Sequence, residues 1–555
     1  MPVPLYPDFF NDVFGPVMQP GSAGGFAGPA RIGNAARALA GGDIKRVRFL
    51  FDKKTRPLPF LVNFMSDRGY LGGIQGFLPD DERLFDAHAL ARRQGMAYEF
   101  GCREEDDGTS GETLVLIEDS RGGTYTMNAA SVGGGMILVS GINGFSLEWR
   151  ADTHLAFLED PQGRLLPQNM ENLAQALFSS PDSSLVRFSA VGFSGGSAAG
   201  FSNGSARGRR AYAFEFSSGT PEDSFMAGIG DLGGLRLYRL PALLPVVSRR
   251  DKGPQLFTTM EEWRRIAGER GISFVDAAIA YEKNSSRWTE KQIWDFFENI
   301  AGILYNQIHS LEEIGYEEAK DTDLLPIYGR YWNRYAEKNR IISDGLTGHI
   351  IRHALSTNAK IPGVKIVPAP MGTGGGYLFS ALDAVREQYG ISHERMVESL
   401  VVAAGLGALA FTHTNASGEV GCVGESGVCC AMASGAIAWL CGGDGQAVEN
   451  AASMALQANI GIPCDPIAGG LEFPCITRTI RAAVTAPLYA DLALSGINPL
   501  IPYHEMLGVI EKTHKTATGD CLSGPHCGCN MTAAAEACNA RLEAASIAGL
   551  HFVPA

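Results

Sequence analysis

Basic residues are in short supply: 46 Lys and Arg stand against 60 Asp and Glu, a formal net charge of −14. That balance argues against nucleic acid and anionic membrane surfaces as partners, while leaving a locally positive site open to an anionic substrate. Long apolar runs are also missing. The most apolar stretches, near Val401–Phe411 and Val428–Cys441, fall below the ~20 residues that span a bilayer. They are full of Ala and Gly and predict buried helices. The opening Met1-Pro2-Val3-Pro4 carries neither the basic nor the apolar region of a signal peptide, so a cytoplasmic protein is expected. Cysteine is too thin, 11 in 555 residues, for a secreted disulfide framework. Most of it falls between Cys422 and Cys538, which suits a reducing compartment and a metal site. The glycine-rich Met371–Gly376 is not followed by Gly-Lys-[Ser/Thr], so it is no phosphate loop. Cys521-x5-Cys527-x-Cys529 is not a zinc spacing. No lysine signature for pyridoxal phosphate is present.

What the sequence does hold is core and turns: hydrophobic residues make up 45 %, and there are 68 glycines. The length predicts about three domains. Residues 1–150 mix alternating apolar stretches with glycine-rich turns, with strands at Val47–Phe51 and Leu114–Glu118 and a helix at Asp81–Arg93. Residues 151–242 read β-α-β-β-α-β. Strands at His154–Glu159, Leu185–Phe193, Arg210–Phe216 and Leu235–Leu240 enclose helices at Asn169–Phe178 and Pro221–Leu232. That is the ferredoxin-like order. After the linker Ser248–Pro254, residues 255–555 are helical nearly throughout. Met260–Glu269 and Ser286–His309 are amphipathic, and Thr289–Gln292 forms a capping-box-like start. The charges of Glu312–Lys320 and Arg330–Lys338 read as solvated faces. The fold class is therefore multidomain α+β, ending in an all-α domain.

One stretch of the helical part concentrates unusual chemistry. Cys422, Cys464 and Cys475 lie 42 and 11 residues apart, each at a break made by Gly or Pro and each beside a carboxylate or guanidinium. Thiolates at turns can point at a metal unobstructed, and three of them suit iron–sulfur ligation with one corner left open. Three buried cysteines acting as small hydrophobes would read the same way. Cys429, Cys430 and Cys441 sit in the apolar helix that follows and read as core. Ser131-Val132-Gly133-Gly134-Gly135 either lets backbone N–H groups approach a carboxylate or is a tight turn between strands.

Taken together, Cys422-Val423-Gly424-Glu425, Cys464-Asp465-Pro466-Ile467-Ala468-Gly469 and Pro474-Cys475-Ile476-Thr477-Arg478 resemble, in order and spacing, the alpha-type domain of the iron–sulfur-dependent L-serine dehydratases. The resemblance extends to Ser356–Lys360, Val367–Pro370 and Ile501–Glu505. Residues 1–150 resemble the beta-type domain of that family through Gly28–Gly33, Asp80–Arg83 and Ser131–Gly135, and residues 151–242 look like an ACT domain. Several beta-type polar motifs are replaced here. Gly25 and Phe64 stand where the family has histidines, and Gly374 and Gly375 replace serines of an anion-binding loop.

The resemblance implies a four-iron, four-sulfur cluster held by Cys422, Cys464 and Cys475, and a small hydroxy acid substrate in a homo-oligomeric enzyme. Its open iron would act as a Lewis acid on the substrate hydroxyl. L-Serine going to pyruvate and ammonia is the family default. 2-(Hydroxymethyl)glutarate and L-cysteine are alternatives, as is a cluster-bearing sensor without turnover. Candidate catalytic residues are Glu419, Glu425 and Arg478, with a structural pair to Asp465 as the alternative role of Arg478. Candidate substrate-binding residues are Ser131, Gly133, Gly134, Gly135, Asp67, Asn358 and Thr373. His349, His413 and His504 are candidates for the base by sequence proximity alone. Cys521, His526, Cys527, Cys529 and Cys538 could approach the open corner.

Overall fold

Alternating residues such as Val47, Phe49 and Phe51 bury one side of a strand at Arg46–Phe51, and the same pattern recurs along the first half of the chain. The computed structural model describes all residues except 1–5, 53–60, 63, 104–110, 194–207, 220–222, 231–232, 251, 321–325, 340, 344, 371–373, 468–472, 518–521, 524–526, 547–549 and 555. Two units condense from the chain. One is Gly24–Lys252 with Ala545–Ala555, and the other is Met1–Ala23 with Gly253–Ala544.

The first unit is built on an 11-stranded sheet. Its strands are β1 (Arg46–Phe51), β2 (Ala97–Cys102), β3 (Thr113–Glu118), β4 (Thr124–Ser131), β5 (Ile137–Ile142), β6 (Phe145–Trp149), β7 (His154–Asp160), β8 (Leu185–Phe193), β9 (Arg210–Phe216), β10 (Arg236–Leu240) and β11 (His551–Phe552). They are ordered β10-β7-β9-β8-β6-β5-β4-β3-β1-β2-β11. Among the described residues β1 and β2 pair in parallel and the other pairs are antiparallel. Helices α1 (Gly28–Leu39), α2 (Ser66–Ile74), α3 (Ala87–Arg93), α4 (Pro167–Ser179) and α5 (Asp223–Ile229) complete it. The predicted helix over Asp81–Arg93 is split. Asp81 accepts from Arg83 N–H and starts a 3-10 turn at Glu82–Asp86, after which α3 begins.

The expected boundary near residue 150 does not separate compact bodies. β6 pairs with β8 at Phe145↔Phe193 and Ser146↔Gly192, so the β-α-β-β-α-β segment continues the same sheet. Phe145 and Trp149 share a core with Leu155 and Phe157 of β7, while Ala156 and Leu158 face a second core with Met170, Phe214 and Phe225. β7 is thus buried on both sides.

α1 and α2 pack so closely that Gly73 is obligatory. A Cβ there would lie 2.0 Å from the Ala30 carbonyl oxygen. This contact sets Arg31 on one helix relative to Asp67 on the other. Gly73→Ala is expected to cost about 1–3 kcal/mol by overpacking, read as a lower urea midpoint with an unchanged slope.

The second unit is helical: α6 (Met260–Arg270), α7 (Phe274–Ser286), α8 (Glu290–Ile314), α9 (Tyr328–Lys338), α10 (Gly345–Asn358), α11 (Gly374–Tyr389), α12 (His393–His413), α13 (Val428–Leu440), α14 (Gly445–Gln457), α15 (Cys475–Leu494) and α16 (Tyr503–Thr516). The starts are written in the sequence. α7 has a capping box of Ser273 with Asp276, and α8 one of Thr289 with Gln292. α13 is rich in Ala, Cys, Gly and Ser, and every residue but Trp439 is buried. Its small side chains let α11, α12, α14 and α15 close around it. The segments His393–His413 and Val423–Leu440 are long and apolar enough to cross a membrane, yet both are largely buried inside this unit.

Residues 6–23 also belong to the helical unit, although the sequence assigned them to residues 1–150. The reason is aromatic: Phe9 stacks on Tyr281 with ring centroids 5.3 Å apart, and Phe10 on Trp288 at 5.2 Å. Glu282 of α7 accepts from Phe9 N–H at 2.8 Å, and Met18 bridges to Ile366.

Candidate active site

Cys422 caps a π-helical turn, Val423–Gly427, that feeds α13. Such turns widen a helix and recur at functional positions. Cys475 is the first residue of α15, and Cys464 lies in a short bridge to Ser523. All three are free thiols. The Cys422 Sγ and Ser426 Oγ are 2.9 Å apart, and the Cys464 thiol donates to Glu425 Oε2 at 3.9 Å.

Burial dominates the electrostatics here. It raises the Cys422 thiol, with Glu425 adding to the shift. It pushes Cys475 up to about 12, helped by Cys422 and Glu425 and opposed by Lys360 and Arg478. Cys464 is raised further by burial and by Glu425, Cys475 and Cys422. The three sulfurs and Glu425 therefore sense one another. Burial also lifts Glu425 to about 7 and pulls Lys360 down to about 8, the nearby Cys475 acting against the latter.

Arg478 takes the structural role weighed above. Its guanidinium donates to Pro463 O at 2.5 Å and grips both oxygens of Asp465. Asp465 Oδ2 also accepts from Cys529 N–H at 2.6 Å, and the Cys527 thiol donates to Cys464 O at 3.5 Å. The tail cysteines Cys527 and Cys529 are thus drawn beside Cys464. Cys521 and His526 fall outside the described residues, as do Thr373 and the side chain of Glu419.

Near Asn358, buried polar atoms stand without hydrogen-bond partners: Ser356 Oγ, Thr357 Oγ1, and both Nε2 and Oε1 of Gln307. A Cβ on Gly376 would lie 2.5 Å from Gln307 Nε2 and 2.7 Å from Thr357 Cγ2, so these groups crowd one spot. Gln307 escaped sequence reasoning, because its position on an amphipathic helix carries no motif.

In the sheet unit, Ser131 Oγ donates to Gly24 O at 2.7 Å. Gly133, Gly134 and Gly135 all have positive φ, the conformation glycine adopts without strain. Arg31 Nη1 donates to Gly135 O at 2.6 Å, its Nε has no partner, and burial lowers its pKa to about 10. Asp67 is buried and engaged by an unforeseen residue: His88 Nε2 is 2.7 Å from its Oδ2, and His88 Nδ1 is 3.0 Å from Tyr98 OH. Phe64 packs where a histidine was expected, with its Cβ 3.0 Å from the position a Cβ would take on Gly25.

Two of the remaining histidine candidates have polar neighbours of their own. His413 Nε2 lies 2.6 Å from Thr258 O, and His349 Nε2 is 3.3 Å from Glu387. Cys429 and Cys430 donate to the carbonyls of Gly374 and Ala482 as core residues, whereas Cys441 is exposed.

Residues 269–522 match the family model described as serine dehydratase alpha chain. The chain is 27 % identical over 256 residues to the L-serine dehydratase alpha chain of Peptoniphilus asaccharolyticus, covering 45 % of this chain and 86 % of the relative. It is 26 % identical over 264 residues to the probable L-serine dehydratase alpha chain of Bacillus subtilis, covering 47 % and 87 %. It is 36 % identical over 150 residues to the L-serine dehydratase of Streptomyces coelicolor, covering 26 % of this chain and 33 % of that relative.

Asp465→Ala would strand the Arg478 guanidinium and release Cys529. Breaking a buried pair from one side costs about 3–5 kcal/mol. The variant is expected to show a loss of that order in anaerobic urea unfolding.

Proposed function

We propose that the chain is a member of the serine dehydratase family through its alpha-type domain, and that it is an iron–sulfur-dependent hydro-lyase acting on a small 3-hydroxy acid. The observation that carries this reading is the set of three free thiols at chain breaks, Cys422, Cys464 and Cys475, with Cys464 Sγ 3.9 Å from Glu425 Oε2. The donor set fits a [4Fe–4S] group. Three free thiols stand at chain breaks, and a multinuclear cation would replace the protons that burial keeps on them. A Cβ on Gly418 would fall 2.9 Å from Cys464 Sγ and 3.5 Å from the Glu425 carboxyl carbon, so the bare glycine keeps space open beside that sulfur.

When bound, the cluster supplies a Lewis-acidic corner that makes the substrate hydroxyl a better leaving group. The protein's own groups do the rest. Glu425, buried beside Cys464, is placed to hold the proton taken from Cα. Lys360 supplies positive charge near Cys475. Asp465 and Arg478 fix the loops that carry Cys464 and Cys475. Gln307, Thr357 and Asn358 offer the polar lining for the substrate. Loss of water from L-serine gives an enamine, which tautomerises and hydrolyses to pyruvate and ammonia.

Residues 24–150 we read as a beta-type domain and 151–242 as an ACT-like module, whose strand order β10-β7-β9-β8 supports that reading. Ser131, Gly133, Gly134 and Gly135 form its carboxylate-binding turn, while Asp67 orients His88. A cytoplasmic homo-oligomer without nucleic acid or membrane partners is in keeping with the net charge of −14.

A second reading rests on Phe64 packing against Gly25. An apolar contact in place of the family's histidines favours a non-amino hydroxy diacid of the 2-(hydroxymethyl)glutarate type. Anaerobically purified protein incubated separately with L-serine, L-cysteine and 2-(hydroxymethyl)glutarate distinguishes the two. Pyruvate from serine is the expected result, sulfide from cysteine would move the leaving group, and alkene from the diacid alone would favour the second reading. A full cluster without turnover on any of them would point to a sensor. Protein lacking iron and sulfide would overturn the cluster assignment. Cys464→Ser is expected to lose most of the bound iron and sulfide, measured by metal and acid-labile sulfide analysis.

A further inference from the structure

Three helices of the alpha-type unit bring together a second set of metal-ligating groups that no part of the proposed reaction uses. His309 lies near the end of α8, His353 on α10 and Asp383 on α11. They are 44 and 30 residues apart in sequence, yet one ligand atom from each lies within 4.8 Å of the others. All three are buried, His353 and Asp383 completely.

Their unused atoms converge. Neither ring nitrogen of His353 has a hydrogen-bond partner, and the same holds for His309 Nε2 and Asp383 Oδ2. The last two are 3.5 Å apart. The opposite atoms of the same side chains are engaged: His309 Nδ1 with Glu312 Oε2 at 3.1 Å, and Asp383 Oδ1 with Arg386 Nε at 2.7 Å. A proton on His309 would answer the two carboxylates around it but would leave both nitrogens of His353 bare. We propose that His309, His353 and Asp383 hold a divalent transition-metal ion, Zn²⁺ being the first candidate, that clasps α8, α10 and α11 apart from the cysteine site.

Two imidazoles and a carboxylate are ligands this class of ion accepts. Glu312 takes the place of the outer carboxylate that fixes a ligating imidazole, and Arg386 does the same for Asp383. His353 is completely buried with both ring nitrogens open, and the neutral ring is the form a metal binds. Arg352 and Glu387 complete the surrounding charges, Arg352 Nε lying 3.1 Å from Glu312 and Glu387 meeting His349.

The test uses Co²⁺ as the probe on full-length protein in which Cys422, Cys464 and Cys475 are all changed to Ser. The cysteine site then cannot compete, binding at any of the other eight cysteines would show as sulfur-to-cobalt charge transfer, and the result is independent of the cluster reading. One equivalent of cobalt is expected, with weak visible ligand-field bands, no sulfur-to-cobalt charge transfer, and displacement by Zn²⁺. His353→Gln and Asp383→Asn should each weaken uptake by at least an order of magnitude. Asp383→Asn keeps the shape of the side chain and carries the decision if His353→Gln does not fold. Absence of cobalt uptake, or uptake that Asp383→Asn leaves unchanged, overturns the proposal.

Discussion

A single buried carboxylate holds the cysteine site in shape. Asp465 grips Arg478 at the start of α15 and accepts the amide of Cys529 from the tail, while its own backbone follows Cys464. Three segments are thereby tied at one point, and each carries a thiol: Cys464, Cys475 and Cys529. Removing a carboxylate and a guanidinium from water is expensive, and the expense is recovered only with full hydrogen bonding. Asp465 meets that condition through both oxygens. Cys464 itself is held by a single isolated bridge to Ser523, so the Asp465 contacts add to what fixes its loop.

Behind those loops stands α13, whose small residues admit four neighbouring helices. The π-helical turn at Val423–Gly427 is the transition from loop to core, so Cys422 is held at the end of the most deeply buried helix. Placement on a rigid element is what a site of this type needs. Burial has a second effect there, since desolvation raises the Cys422 thiol and lifts Glu425 to about 7.

Much of this was legible in the sequence where the cause is local. The capping box of Thr289 with Gln292 and the buried character of α12 and α13 could be read from neighbouring residues. So could the three cysteines at chain breaks. What escaped is long-range. Phe9 and Phe10 look like an unremarkable opening segment until Tyr281 and Trp288 are folded against them. Asp67 reads as a free carboxylate because His88, its partner, lies 21 residues on. Glu312 reads as a solvated charge, whereas its partner His309 is buried. His309, His353 and Asp383 share no motif, because three separate helices have to cross before they meet.

The interleaving of the two units bears on how the chain acquires its fold. Residues 6–23 leave the ribosome early but find their aromatic partners only on helices near residue 281 and beyond. The sheet of residues 24–252 is in turn extended by β11 at His551–Phe552, against β2. Neither unit can be completed as a contiguous stretch of nascent chain. For the same reason a cut between residues 252 and 253 would yield two fragments that each lack a piece of their own core.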